Sequence, residues 1–134
     1  MGAFLFITLQ SWFRICLSTV IMVAKENTYQ ACIDICLECA AECNRCLASC
    51  LNEKDVESLS KCIQLDMECS AICRTAAQFI NLKSDHANAV CQICADVCNA
   101  CGDECHKHQQ MEHCRKCADI CYRCAEECSS MAAA

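Results

Sequence analysis

Two hydrophobic patterns divide the chain. Residues 3–24 (AFLFITLQSWFRICLSTVIMVA) are almost wholly apolar, interrupted by Gln10, Ser11 and Arg14. Further on, the regularly placed hydrophobic-type residue is cysteine. Cys32, Cys36, Cys39, Cys43, Cys46 and Cys50 are spaced 4-3-4-3-4, and a sparser set, Cys62, Cys69 and Cys73, is spaced 7-4. Cys91, Cys94, Cys98, Cys101 and Cys105 follow at 3-4-3-4, and Cys114, Cys117, Cys121, Cys124 and Cys128 repeat that spacing. Alternation of three and four puts residues on one face of a helix, whereas a strand would need a period of two. A mean repeat of 3.5 is the a/d seam of helices that supercoil left-handedly, the geometry of most four-helix bundles. Between the seams lie Glu38, Glu42, Asn44, Arg45, Asp96, Asp103, Arg115, Asp119, Arg123 and Glu126, which suit a water-facing surface.

The punctuation agrees with four helices. Asn27 or Thr28 can cap the first, Asn52 or Asp55 the second after the break at LNEKD, and Ser84 or Asp85 the third after INLK. HKHQQM separates the third from the fourth. Short connections make consecutive helices antiparallel neighbours. The fold class expected is therefore all-α, an up-down-up-down antiparallel four-helix bundle with a Cys-lined interior. The second helix completes its seam with Leu59, Leu65, Ala76 and Phe79 or Ile80, so it carries most of the conventional packing; Met67 and Met131 also read as packing residues. Gly102, beside Cys101, suits either a close backbone approach or an ordinary helix interior.

Composition sharpens this. Of 134 residues 20 are Cys, none is Pro and two are Gly, which argues against turn-rich sandwiches, barrels and knottins. Without its cysteines the region after residue 24 has too little Leu, Ile, Val and Phe to fill an ordinary core, so thiols must occupy the interior. A net charge of −6 disfavours nucleic acid as a partner, because phosphate binding needs a basic stripe. The organisation expected is a hydrophobic N-terminal extension, 1–24, followed by a Cys-rich bundle, 25–134. The extension is long enough for a bilayer span, yet no Lys or Arg precedes its apolar run and no twin-arginine pair is present. Met22 offers an alternative start that would remove it. Cys16 stands apart from the other thiols.

Six C-x-x-C pairs occur: Cys36/Cys39, Cys43/Cys46, Cys91/Cys94, Cys98/Cys101, Cys114/Cys117 and Cys121/Cys124. One such pair fits redox enzymes, zinc sites or chance; six phased onto common seams line a tube with soft ligands. A thioredoxin-type site would sit beside a βαβ pattern, and a ferredoxin-type site would show C-x2-C-x2-C-x3-C-P; neither appears. No Ser/His/Asp set, paired-carboxylate pocket or phosphate loop stands out, and the chain reads as a non-enzyme. Cu(I) is soft and monovalent, and Cys selects it. If each thiol exchanges one proton for one Cu(I), the loaded interior stays neutral, which favours many cuprous ions per chain, roughly one per seam Cys. Tetrathiolate zinc leaves two negative charges per site. A zinc or general heavy-metal buffer, and a disulfide or thiol-redox scaffold, remain the alternatives. His106, His108, Met111 and His113 cluster between Cys105 and Cys114, where imidazole and thioether can pass ions inward through a mouth of the tube.

The runs YQACIDICLECAAECNRCLASC and CQICADVCNACGDECHKHQQMEHCRKCADICYRCAEEC resemble the bacterial copper storage proteins, Cys-lined four-helix bundles. The resemblance covers about residues 26–131 and is closest to the cytosolic branch. It implies copper ions as cargo, Cys32 to Cys128 as ligands, a cytoplasmic location and a homo-oligomer, typically a tetramer. The extension departs from that pattern, which keeps open an exported or membrane-anchored form and membrane contact through residues 1–24.

Overall fold

The structure, a computed structural model, describes the backbone of residues 2–134 and the side chains of residues 8–134. Four helices follow in order: α1 Gly2–Leu51, α2 Ser60–Asn81, α3 Ala87–His106 and α4 Glu112–Ala133, with a 3-10 turn at Glu57–Leu59 leading into α2. No strand occurs among the described residues. The chain forms two compact units, Met1–Gln30 and Ala31–Ala134.

The second unit is the bundle. Cys32 lies 3.9 Å from Cys128, and Cys43 lies 3.8 Å from Cys117, so α1 and α4 run in opposite senses. Cys62 meets Cys105 at 3.3 Å and Cys73 meets Cys94 at 3.7 Å, which sets α2 against α3 in the same way. Cys50 neighbours Cys62 while Cys36 neighbours Cys73, making α1 and α2 antiparallel too. The topology is up-down-up-down. Its seam positions bury thiols, and beside them Ala40, Ala77, Ala95, Ala118 and Ala125 are also buried. Side chains as small as these let helix axes approach closely.

Conventional hydrophobic packing is sparse, as composition requires. Leu59, Leu65, Ala76 and Ile80 are buried on α2 and its lead-in turn, joined by Ile33, Ile35, Ile120 and Met131. Of the pair Phe79 and Ile80, it is Ile80 that turns inward, while Phe79 stays partly exposed. Met67 is exposed rather than packed, because it lies off the 3.5-residue seam. Gly102 makes room for a ring instead of backbone: a Cβ there would stand 2.8 Å from Tyr122 Cε1. The Tyr122 hydroxyl then donates to Asp103 at 2.7 Å, tying α4 to α3.

The caps differ from expectation in detail. Asn27 and Thr28 do not start α1. The helix already runs through them, and the Thr28 hydroxyl donates back to the Ala24 carbonyl at 3.0 Å. With no Gly or Pro between residues 3 and 51, nothing breaks the helix there. Asn52 closes the C-terminal end of α1 by donating to the Ala48 carbonyl, whereas Asp55 accepts the Ser58 N–H and so caps the 3-10 turn. Ser84 accepts the His86 N–H at 3.1 Å, one turn ahead of α3. The end of α2 is turned by Lys83, whose φ of 51° places it in the left-handed region usual at helix C-termini.

In the first unit, residues 8–28 are helical with their side chains exposed. Thr19 donates to the Ile15 carbonyl at 2.8 Å, and Lys25 Nζ stands 5.8 Å from the Tyr29 ring centroid. Among the described residues no helix is long and apolar enough to cross a membrane. Side chains 3–7 of the apolar run lie outside the described residues.

Two outcomes check this packing. Metal-free, reduced protein should give a strongly helical far-UV circular dichroism spectrum, since the aliphatic contacts need no ion. Replacing the fully buried Leu59 by Ala should destabilise the metal-free bundle by about 2–4 kcal/mol in urea unfolding, the usual cost of an uncollapsed core cavity.

Candidate metal centre

Every cysteine from Cys32 to Cys128 has no solvent exposure, and all are free thiols. The seam spacing turns each inward, and the antiparallel pairing stacks them in tiers along the bundle axis. The tiers include quartets whose sulfurs lie within 4.8 Å of one another: Cys36, Cys94, Cys124 and Cys128; Cys39, Cys73, Cys98 and Cys124; Cys39, Cys43, Cys69 and Cys121; Cys43, Cys101, Cys117 and Cys121. A further group is mixed, with Cys46, Cys50 and Cys114 around His113. Cys91 closes one end beside Cys32 and Cys128, and Cys62 sits by Cys105 toward the other. Successive quartets share members, so the sulfurs form one continuous ladder. Separations of 3.3–3.9 Å leave neighbouring sulfurs unbonded and close enough for two to share one soft ion. Cys16 is exposed in the first unit.

Besides His113, a second member of the ladder is not a thiol. Asp66 on α2 is fully buried among sulfurs: Cys101 and Cys105 donate S–H bonds to its Oδ1 at 3.3 and 3.7 Å, and Cys117 Sγ lies 3.3 Å from the same oxygen. Desolvation, with the negative charge of neighbouring Cys117 and Cys62 thiolates, pushes this carboxyl up to about 9, so it is protonated at neutral pH. Sequence reasoning passed over it by following cysteine alone. The signal was present: Asp66 divides the seven-residue gap, and 62-66-69-73 restores the 4-3-4 spacing of the other seams.

The thiols polarise one another. Cys69 and Cys117 are drawn down, in both cases most by Cys101, because neighbouring S–H groups stabilise their thiolates. Cys62 is lowered to about 4, chiefly by Cys105. Cys73 and Cys121 are pushed up, the first mainly by Cys124 and the second by Cys101, since each keeps its proton to donate and burial adds to the cost of charge. A mixed array of thiols and thiolates offers soft ligands at once and holds exchangeable protons for further ions.

The four residues of the His-rich turn are placed differently from one another. His113 Nδ1 faces the ladder, 3.4 Å from Cys114, 3.6 Å from Cys46 and 3.8 Å from Cys50. Its Nε2 lies 3.0 Å from Glu53 Oε1, on the segment between α1 and the 3-10 turn. With Nε2–H donated to that carboxylate, the Nδ1 lone pair points at the sulfurs, the tautomer a ligand needs. His108 Nε2 lies 3.4 Å from Glu104 Oε1, one turn back on α3. His106 ends α3 and is exposed, while Met111 is the N-cap residue of α4 and half-buried. The geometry thus brings His113 to the sulfurs and leaves His106 on the rim.

Comparison with known proteins gives consistent matches. A family model described as "Copper storage protein" matches residues 25–133. A Bacillus subtilis (strain 168) protein described as "Uncharacterized cysteine-rich protein YhjQ" is 45% identical over 108 residues, covering 81% of this chain and 99% of that protein. Among solved structures, a Cu(I)-bound Bacillus subtilis copper storage protein is 45% identical with a TM-score of 0.75, covering 78% of this chain and 98% of that one. A cytosolic copper storage protein from Streptomyces lividans, solved with five coppers, is 41% identical with a TM-score of 0.78, covering 81% of this chain and 94% of that one.

Asp66 sets a pH dependence of the metal-free protein. Its folded pKa of about 9 exceeds the ordinary 3.8, so between those values the unfolded chain releases this proton first and stability falls as pH rises. Asp66→Asn should remove that loss. Urea unfolding from pH 4 to 8.5 should show the variant gaining on the parent as pH increases, by about 2–4 kcal/mol at pH 7, with the gain fading toward pH 4. Parallel curves would show the carboxyl to be ionised in the fold.

Proposed function

This chain belongs to the copper storage protein family, and from that premise we propose that it is a store for Cu(I), holding many cuprous ions on Cys thiolates inside the bundle and thereby limiting free copper. The observation that carries this reading is the unbroken ladder of buried sulfur quartets. A redox or disulfide role needs one or a few exposed, activated thiols, whereas here soft ligands are stacked along the whole axis.

The chemistry follows from charge. Each incoming Cu(I) is matched by one thiolate, already ionised or formed by release of a thiol proton, so filling leaves the interior neutral and avoids the cost of unpaired buried charge. Thiolates from Cys32 to Cys128 form the store. Asp66 adds an oxygen donor at the tier of Cys101, Cys105 and Cys117. Cys16, exposed in the first unit, is left out of the ligand set. His113 is the innermost group of the His-rich mouth, and with His106, His108 and Met111 it offers weaker ligands that take an ion and release it inward. The chain performs no catalysis on this reading. The Streptomyces relative is described as cytosolic, which supports a cytoplasmic store, and the family resemblance supports a homo-oligomer, a tetramer.

Anaerobic titration against a competing Cu(I) chelator should give roughly one ion per bundle cysteine, unchanged when residues 1–21 are removed. Protein recovered from cells given both copper and zinc should carry copper; zinc in its place would make the chain a divalent-metal buffer. Replacing His106, His108 and His113 together by Ala should slow uptake or removal several-fold at one fixed pH with capacity unchanged, and His113→Ala alone should account for most of the effect. Exchange as fast as the parent would reduce the turn to a solvated loop.

A further inference from the structure

We propose that residues 8–25 form an interfacial helix that seats this protein on an anionic bilayer surface. Up to its last residue the segment lies outside the family match, which covers residues 25–133. It is helical, and its large apolar side chains are in water. Trp12 and Phe13 are 71% and 72% exposed, and Leu9, Leu17, Val20 and Val23 are each more than half exposed.

The arrangement around the helix identifies the partner. At about 100° per residue, Gln10, Ser11, Arg14, Ser18 and Lys25 fall in one sector about 100° wide, which Ile21 interrupts. Leu9, Trp12, Phe13, Leu17, Val20 and Val23 fall on the opposite side. A broad apolar arc with Trp and Phe, closed by a narrow stripe bearing cations, is the signature of a helix lying in the plane of a membrane. Arg14, near the middle of the apolar run, also favours lying in the plane over crossing.

Charge selects the lipid. Arg14 and Lys25 are the only charged side chains in residues 1–25, giving +2 there, and since the whole chain is −6 the remainder carries −8. A cationic stretch of an acidic protein therefore coincides with its exposed apolar helix. Anionic headgroups complement that stripe, while acyl chains cover the arc. A second copy of the same helix fits less well. A helix pair buries a narrow seam, leaving Ile15 and Met22 in water, and no opposite charges flank the seam to set its register.

Trp12 is the sole tryptophan, so the full chain reports its own binding. With vesicles of three parts phosphatidylcholine to one part phosphatidylglycerol, most of the protein should co-sediment and Trp12 emission should move to shorter wavelength. Phosphatidylcholine alone should retain several-fold less, as should raised salt. Phe13→Asp with Val20→Asp should lower vesicle binding at least tenfold, leaving helix content and copper capacity intact because both side chains are exposed. Unshifted emission with no co-sedimentation overturns the inference, as does equal binding by the aspartate variant. So does a blue shift without vesicles that tracks a concentration-dependent rise in mass, which would put a second copy on this face. The inference is independent of the storage reading: vesicle binding and ions bound are separate measurements.

Discussion

A bundle helix must turn one residue inward about every 3.5 positions, and in this chain that residue is nearly always cysteine. Everything in the bundle depends on this constraint. The 4-3 spacing lines sulfurs along each helix, antiparallel pairing sets four such lines against one another, and the result is a ladder with overlapping quartets. The same groups are core and candidate binding site. Aliphatic packing is accordingly confined to α2, its lead-in turn and a few isoleucines, with buried alanines letting the helices close around small thiols. A core that dispensed with those aliphatics would depend on its cargo to fold, as small metal-dependent domains do.

Polar groups inside the tube are exceptions whose positions matter. Asp66 occupies a seam position on α2 and is kept protonated by burial and by the charge of its sulfur neighbours. It supplies an oxygen among sulfurs without adding a full negative charge to the metal-free interior. His113 lies at the end of the ladder, its ring oriented from outside by Glu53. One carboxyl is buried and protonated, the other partly exposed and paired with an imidazole. Solvent access separates their positions: Asp66 is fully buried, while Glu53 stands at the rim.

The extension obeys a different logic. In the bundle, hydrophobic-type residues repeat along a seam and are covered by neighbouring helices; in residues 8–25 they spread over most of the circumference and remain in water. That contrast, together with the sign of its two charges, sets the segment apart from the acidic store that follows it.

The helical class, the number of bundle helices, their order and the soft-ligand interior were all written in the period of the cysteines, because a 3.5-residue repeat admits one backbone and one inward face. Composition made thiols the core by leaving nothing else to fill it. Tertiary structure decided what no one-dimensional pattern contains. It divided the His-rich turn, bringing His113 Nδ1 within 3.6 Å of Cys46 Sγ while leaving His106 exposed, since contact across helices depends on where α1 ends relative to the start of α4. It chose Ile80 over Phe79, and gave Gly102 to the Tyr122 ring. It also revealed Asp66 as part of the ladder. A carboxyl at a seam position is ordinarily read as an interruption, and only the surrounding sulfurs of α3 and α4 make it a buried, protonated member of the ladder.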